Sequence, residues 1–405
     1  MRRTLLAVVA AGMLFVVPAA APARDTAAPA TQPTAVGTGG AVATVDPLAT
    51  QAAIDTLRRG GNAVDAAVAA AGVLGVVEPY SCGLGGGGFM TVYSARDGKV
   101  HTIDSRETAP AAMTPSGATT SFEGLTTFEA QRVSGMSVGV PGTLRAWESV
   151  LREFGSMPLA KLLEPGIETA RRGFTVDETF FSQTDGAKAI FADFPATAAL
   201  YLDPDGSPRD VGTVIRNPDL ARTYKSIAKN GRSAFYCGPL AQAIVDTVQH
   251  PPLRAGATRV ARPGVMTLAD LADYKTVDRD PTAIRYRGLD VYGMAPPSSS
   301  GSTVGEALNI LEGFDVGHLP REEALHDYLE ASRYAYADRG AFVGDPGFMS
   351  VPLAGLLSDS FAAERRAPHA TTSPPASCTK YVPSSMRFMS RWAMWAAALA
   401  VWPAS

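Results

Sequence analysis

The spacing of apolar and polar positions is most regular between residues 60 and 110, which read GGNAVDAAVAAAGVLGVVEPYSCGLGGGGFMTVYSARDGKVHTIDSRETAP. Residues 63–77 are small and apolar on most faces, which predicts a buried helix capped by Asn62 and stopped at Pro79. Two strand-length runs follow, 89–94 and 99–104, with a turn at 95–98, so a hairpin is expected. Between helix and hairpin lie Gly83 to Gly88, which permit positive φ and bring backbone N–H groups close to anything bound there. Upstream, Asp46-Pro47 marks the start of a helix that runs to residue 59 and ends at Gly60-Gly61. Residues 39–45 read as a short strand.

Beyond the hairpin, residues 109–134 have little periodicity and read as a surface loop, and residues 137–142 as a short strand ending in a turn. Helical spacing returns at Leu144, Trp147, Val150 and Leu151. Further helices are expected at 159–173, from Asn217-Pro218 through Tyr224 and Ile227, at 238–250, and at 267–274. Residues 285–294 alternate like one strand and run into APPSSSG, a loop that opens a helix through Ile310 and Leu311. Residues 322–339 form the clearest amphipathic pattern, with Leu325, Tyr328, Leu329 and Tyr336 on one side. Helices layered on strands, without strict alternation, predict an α+β or α/β/α architecture.

Composition changes this picture little. The chain has 405 residues, 46% hydrophobic and 19% charged, with a net charge of −3, which gives no reason to expect nucleic acid or an anionic membrane as partner. The 3 cysteines, Cys82, Cys237 and Cys378, lie far apart, so at least one thiol stays unpaired and no metal-ligand spacing is present. The 5 histidines show no spacing suited to a metal either. Arg2-Arg3, an apolar run at 5–17 and Ala21-Pro22-Ala23 make residues 1–23 a signal peptide, which predicts export to the periplasm or beyond. Residues 24–38 read as a disordered lead-in and 39–366 as the folded region. Residues 367–405, rich in Pro, Ser and Thr and then in Trp and Ala, read as an unrelated or disordered tail.

Several residues invite chemistry. Residues 83–88 contain G-x-G-x-x-G, yet a helix precedes and a strand follows, the reverse of a dinucleotide fingerprint. Arg106, just past a strand in DSRE, offers a planar fork for a carboxylate. Its plainer role is an ion pair with an acidic neighbour, and from the local sequence alone that role is favoured. Ser298 to Ser300 lack a nucleophile elbow and read as a loop entering a helix. His326, beside Asp327, reads as a helix-surface or packing residue.

Taken in order, GGNAVDAA from Gly60, the GLGGGGFM cluster, DSRETAP, VGVPGT, APPSSSG and HDYLEASRYAYADRGAFVGDP resemble the γ-glutamyltranspeptidases. Each alone is weak; in series they are specific. The resemblance covers residues 40 to 365 and corresponds to the family's large subunit. It implies an α+β N-terminal-nucleophile hydrolase with an αββα sandwich, matured by self-cleavage of a precursor. A threonine at the start of the small subunit attacks glutathione or another γ-glutamyl amide, and the glutamyl group passes to water or an amino acid, with no metal or other cofactor. By match to DSRETAP, Arg106 is implied to bind the glutamyl α-carboxylate. The family's Thr-Thr-His motif is absent from these residues. Thr371-Thr372, followed by Ser373-Pro374-Pro375, reads as chance composition, so no catalytic residue is assigned. With the small-subunit half missing, the sandwich is expected to be incomplete, with open strand edges and exposed apolar faces, and the chain to be inactive. The competing reading is a non-catalytic exported protein that binds γ-glutamyl or amino-acid carboxylates.

Overall fold

The computed structural model describes residues 36–114, 124–125 and 127–367. Residues 1–23, read as a signal peptide, most of the expected lead-in, Thr371-Thr372, Cys378 and nearly all of the expected tail lie outside the described residues. A first unit ends at Gly39, and the second, which begins at Gly40, carries the fold described below.

Helix α2 (Ala63–Val77) is the centre of the main core, as its pattern predicts: twelve of its 15 residues are buried. The N-terminus of α2 carries a reciprocal capping box. Asn62 accepts from the N–H groups of Val64 and Asp65, and the Asp65 carboxylate accepts from the Asn62 N–H. Asp65, itself fully buried, also accepts from the N–H groups of Ser156 and Met157 at 3.0 and 3.1 Å and from the Ser156 hydroxyl. These bonds fasten α2 to the end of α3 (Thr143–Phe154). Helices α1 (Pro47–Arg58), α4 (Glu164–Arg172) and α5 (Pro218–Asn230) complete the packing. Small residues on α2 permit close crossings. A Cβ on Gly75 would meet the Tyr224 hydroxyl at 2.5 Å, and one on Gly166 of α4 would meet the Gly72 carbonyl at 2.8 Å.

The strands form one three-stranded and two two-stranded sheets among the described residues, so the architecture is α+β. In the first, β1 (Phe89–Ser94) pairs antiparallel with β2 (Lys99–Asp104). β2 in turn pairs antiparallel with β5 (Val277–Arg279), in a register that sets Thr102 opposite Arg279 and Asp104 opposite Val277. β3 (Phe174–Thr175) and β4 (Val214–Ile215) make a small separate pair. β6 (Thr282–Tyr286) and β7 (Leu289–Gly293) make the third sheet.

Several expectations need correcting. Residues 285–294 are not one strand but most of a hairpin, because Arg287 and Gly288 both take positive φ, 50° and 81°, and close a two-residue turn. Residues 39–45 form no strand, and residues 137–142 contribute only an isolated bridge from Val140 to Thr108. The helix expected at 159–173 breaks at Leu163 into Leu159–Leu162 and α4. Helices at Glu178–Phe191 and Pro195–Tyr201, which the pattern did not announce, are held by an aromatic cluster in which Tyr80 stacks on Phe191 at 5.9 Å.

The amphipathic pattern at 322–339 forms α7 (Arg321–Phe342). Its apolar side chains Leu325, Tyr328, Leu329 and Tyr336 are exposed, while the small Ala331 and Ala335 are buried and the helix packs on α6 (Ser300–Leu311). Alanine allows the two helices to approach closely, and that contact, not the larger apolar side chains, determines which side faces inward. Beneath it lies a buried polar group. Arg365 of α8 (Asp359–Arg366) grips Asp338 with two hydrogen bonds of 2.7 Å. Glu306 on α6 is 1% exposed and adjoins Asp338.

Burial, followed by the hydrogen bond to Asp338 and its negative charge, pushes the Glu306 carboxyl up from 4.5 to about 8. Between those values the folded chain holds a proton that the unfolded chain has lost, so this group makes stability fall as pH rises through that window. Chemical denaturation of wild type and Glu306→Gln from pH 5 to pH 8 checks this. The wild-type midpoint is expected to fall relative to the variant as pH rises; a constant difference would contradict the assignment.

Candidate substrate-carboxylate site

Strand β2 delivers Asp104, Ser105 and Arg106 to the edge of a cleft, and the glycine cluster holds that delivery in place. Ser105 is buried; its N–H and hydroxyl both donate to the Gly88 carbonyl at 2.9 Å, and its carbonyl accepts from the Gly88 N–H. The Gly86 carbonyl accepts from the N–H groups of Gly142 and Thr143 at 2.8 and 3.0 Å, which joins the cluster to the start of α3. None of Gly83 to Gly88 takes a positive φ. Their use is close approach instead of unusual conformation: a Cβ on Gly87 or on Gly142 would run into the Ser105 carbonyl. The expectation of left-handed glycines here is therefore replaced by a steric one.

The surroundings of Arg106 bear on its two candidate roles. Neither acid flanking it in the chain, Glu107 beside it or Asp104 two residues back, pairs with its side chain among the described residues. One oxygen of Asp104 accepts from the backbone N–H of Arg106 at 2.9 Å, and the other accepts from Nε of Arg279 at 2.8 Å. The Arg106 carbonyl accepts from the Tyr274 hydroxyl at 2.8 Å. Burial, followed by the charges around it, holds that hydroxyl well above its usual range, so it stays a donor. The backbone of Arg106 is thus held on both sides, while its exposed guanidinium makes no hydrogen bond or ion pair with any described residue.

Arg106 lines a cleft of about 450 Å³, shared with Gly85, Glu107, Thr108, Met136 and Val138. The far wall is fixed by the Val140 N–H donating to the Thr108 carbonyl at 2.8 Å. Gly139 is required there, since a Cβ would meet Cβ of Glu107 at 2.7 Å. A cationic fork and a carboxylate on one wall suit a ligand that carries both charges.

The other candidates lie elsewhere. Ser298 and Ser300 hydrogen-bond to each other through their hydroxyls at 2.9 Å as the chain enters α6, and neither lines this cleft. His326 lies on α7, away from the cleft lining. Cys82 and Cys237 are both free, and burial followed by the charge of Glu78 raises the Cys82 thiol. Among the described residues, no group of three or more His, Cys, Asp or Glu is placed to hold a metal ion. The sequence singles out Arg106 but not Tyr274 or Arg279, which lie 168 and 175 residues further along the chain from the groups they hold and share no motif with them. The one legible signal was Asp104, two residues ahead of an N–H it could cap.

With the geometry described, comparison with known proteins supplies the lineage. The sequence model of the family Gamma-glutamyltranspeptidase matches residues 49–391. The chain belongs to the γ-glutamyltranspeptidase family. The family match continues past Arg366, where the texture of the sequence changes. The chain is 37% identical over 333 residues to the glutathione hydrolase proenzyme of Escherichia coli (strain K12), covering 80% of this chain and 54% of that protein. It is 39% identical over 345 residues to the acylase ACY 1 proenzyme of Pseudomonas sp. (strain SE83), covering 82% and 59%. The chain therefore spans little more than half the length of these relatives. Among solved structures, the γ-glutamyltranspeptidase of Helicobacter pylori superposes with a TM-score of 0.75 at 28% identity, covering 89% of this chain and 99% of that one. The cephalosporin acylase of Bacillus halodurans superposes at 0.70 and 31%, covering 87% and 63%. The γ-glutamyltranspeptidase fold, of the N-terminal-nucleophile hydrolase class, is thus shared across these chains.

Because the carbonyl of Ser105 fills the space above Gly87, Gly87→Ala is expected to cost about 2 kcal/mol through forced backbone movement. Urea denaturation measures this. An unchanged midpoint would show that the contact is not required.

Proposed function

We propose that this chain is the substrate-recognising portion of a γ-glutamyl transferase and hydrolase. The substrate class is glutathione and other γ-glutamyl amides, and the glutamyl group passes to water or to an amino-acid acceptor. The single observation that carries the reading is the Arg106 guanidinium, unpaired among the described residues, on a residue that lines a cleft, with its acidic neighbour Asp104 committed to Arg279. A guanidinium held by its backbone and free at its tip matches a carboxylate in two parallel hydrogen bonds. Glu107 on the same wall offers a partner for the ammonium of an α-amino acid. The family membership and the glutathione hydrolase relatives support the same chemistry.

Acyl transfer also needs a nucleophile and an oxyanion hole. The 405 residues contain no Thr-Thr-His segment, and we assign the nucleophile to the small subunit of the same precursor. The exposed apolar side of α7, with Leu325, Tyr328 and Leu329, supplies a surface for that partner. On this account these residues alone bind the γ-glutamyl compound without turning it over, and the signal-like residues 1–23 direct export. A second reading, an acylase for related amides, is favoured by the ACY 1 relative. It differs in whether the acyl group carries a free α-carboxylate.

Calorimetric titration with L-glutamate and with 4-aminobutyrate, which lacks the α-carboxylate, separates these readings. L-Glutamate is expected to bind, and Arg106→Ala to weaken it by about thirtyfold, the loss of a charge-assisted fork. Binding that is unaltered in Arg106→Ala, or equal binding of 4-aminobutyrate, would contradict the γ-glutamyl assignment.

A further inference from the structure

We propose that Arg279 is a positioning residue that keeps Arg106 available to substrate by occupying the carboxylate that would otherwise neutralise it. The inference rests on the reading of Arg106 as the carboxylate ligand and adds the residue on which that ligand depends. Asp104 and Arg106 are two residues apart at the end of β2, and the Arg106 N–H already touches one Asp104 oxygen. The Asp104 side chain is only 7% exposed, so its second oxygen cannot rely on water. A buried carboxylate without a cation is costly, and it recruits whichever guanidinium reaches it. Arg106 is one such group; Arg279 is the other.

Strand register resolves the competition. Thr102 lies opposite Arg279 and Asp104 opposite Val277, so Asp104 and Arg279 are diagonal neighbours on one face of the sheet. The position is further secured by the Thr102 hydroxyl, which donates to the Arg279 carbonyl at 2.6 Å. Arg279 then donates Nε to Asp104 at 2.8 Å, and its Nη2 lies 3.9 Å from Asp345. Asp104 is left holding Arg106 by the backbone alone. The strand pairing between β2 and β5 thus sets the charge state of the cleft without any atom of β5 entering it.

The test compares wild type, Arg279→Met, Asp104→Asn and the double variant by two readouts. One is calorimetric affinity for L-glutamate. The other is the rate at which phenylglyoxal modifies Arg106, followed by peptide mass spectrometry. Arg279→Met releases Asp104 onto Arg106, so affinity is expected to fall about tenfold or more and modification to slow. In the double variant the side-chain amide at position 104 still accepts the Arg106 N–H through its oxygen but carries no charge. Affinity is then expected to return to within about threefold of wild type. A merely structural role predicts the opposite, a double variant at least as weak as Arg279→Met. Unchanged affinity and reactivity in Arg279→Met, or no rescue in the double variant, overturns the proposal. If L-glutamate binding proves independent of Arg106 the reading of the cleft fails, and the phenylglyoxal rates still decide whether Arg279 governs Arg106.

Discussion

The carboxylate of Asp104 is the point at which fold and chemistry meet. One of its oxygens holds the backbone of Arg106 and the other holds the guanidinium of Arg279. A carboxylate this buried has to be fully partnered, and the way it is partnered decides which arginine remains free. Were the pairing reversed, the cleft would lose its one unpaired cation among the described residues and present Glu107 alone. On the proposed reading, recognition of an anionic group depends on a sheet contact outside the cleft.

That contact is held by close packing on the other side. Ser105 is pressed between the glycine cluster and the start of α3, where only glycine leaves room for its carbonyl. Tyr274 closes the remaining side with a hydrogen bond to Arg106. Behind this layer stands α2, which is tied to the end of α3 through Asp65. Each hydrogen bond is worth only about 1 kcal/mol net. Their joint effect is geometric: the Arg106 backbone has no alternative position, so its side chain meets a ligand with little left to order.

Elements with local causes were legible in the sequence. The capping signals at Asp46 and Asn62, the paired strands around residues 95–98 and the small-residue run of α2 all act within a few residues, and the structure contains each of them. The failures arise where distant packing decides. The pattern set the large apolar side chains of α7 on one side but not which way that side faces; they are exposed, while Ala331 packs with Ile310 and Leu311 of α6. An arginine at positive φ hid the β6–β7 turn inside what read as a continuous strand. For the site, the local sequence favoured an ion pair for Arg106 with an acidic neighbour. The structure pairs one such acid, Asp104, with an arginine 175 residues away, which no local pattern could reveal. The motif resemblance reached the family before the geometry did, because motifs record the outcome of such long-range contacts without displaying them.

On the proposed reading this stretch of chain recognises a ligand while it displays exposed apolar side chains on α7. Recognition is assembled within β2, β5, α3 and the glycine cluster, which hold one another through the contacts described above. The most direct test is a crystal structure of the chain with L-glutamate. The account predicts the α-carboxylate on the Arg106 guanidinium, with Asp104 still paired to Arg279. Glutamate bound away from Arg106, or Arg106 turned onto Asp104, would contradict it.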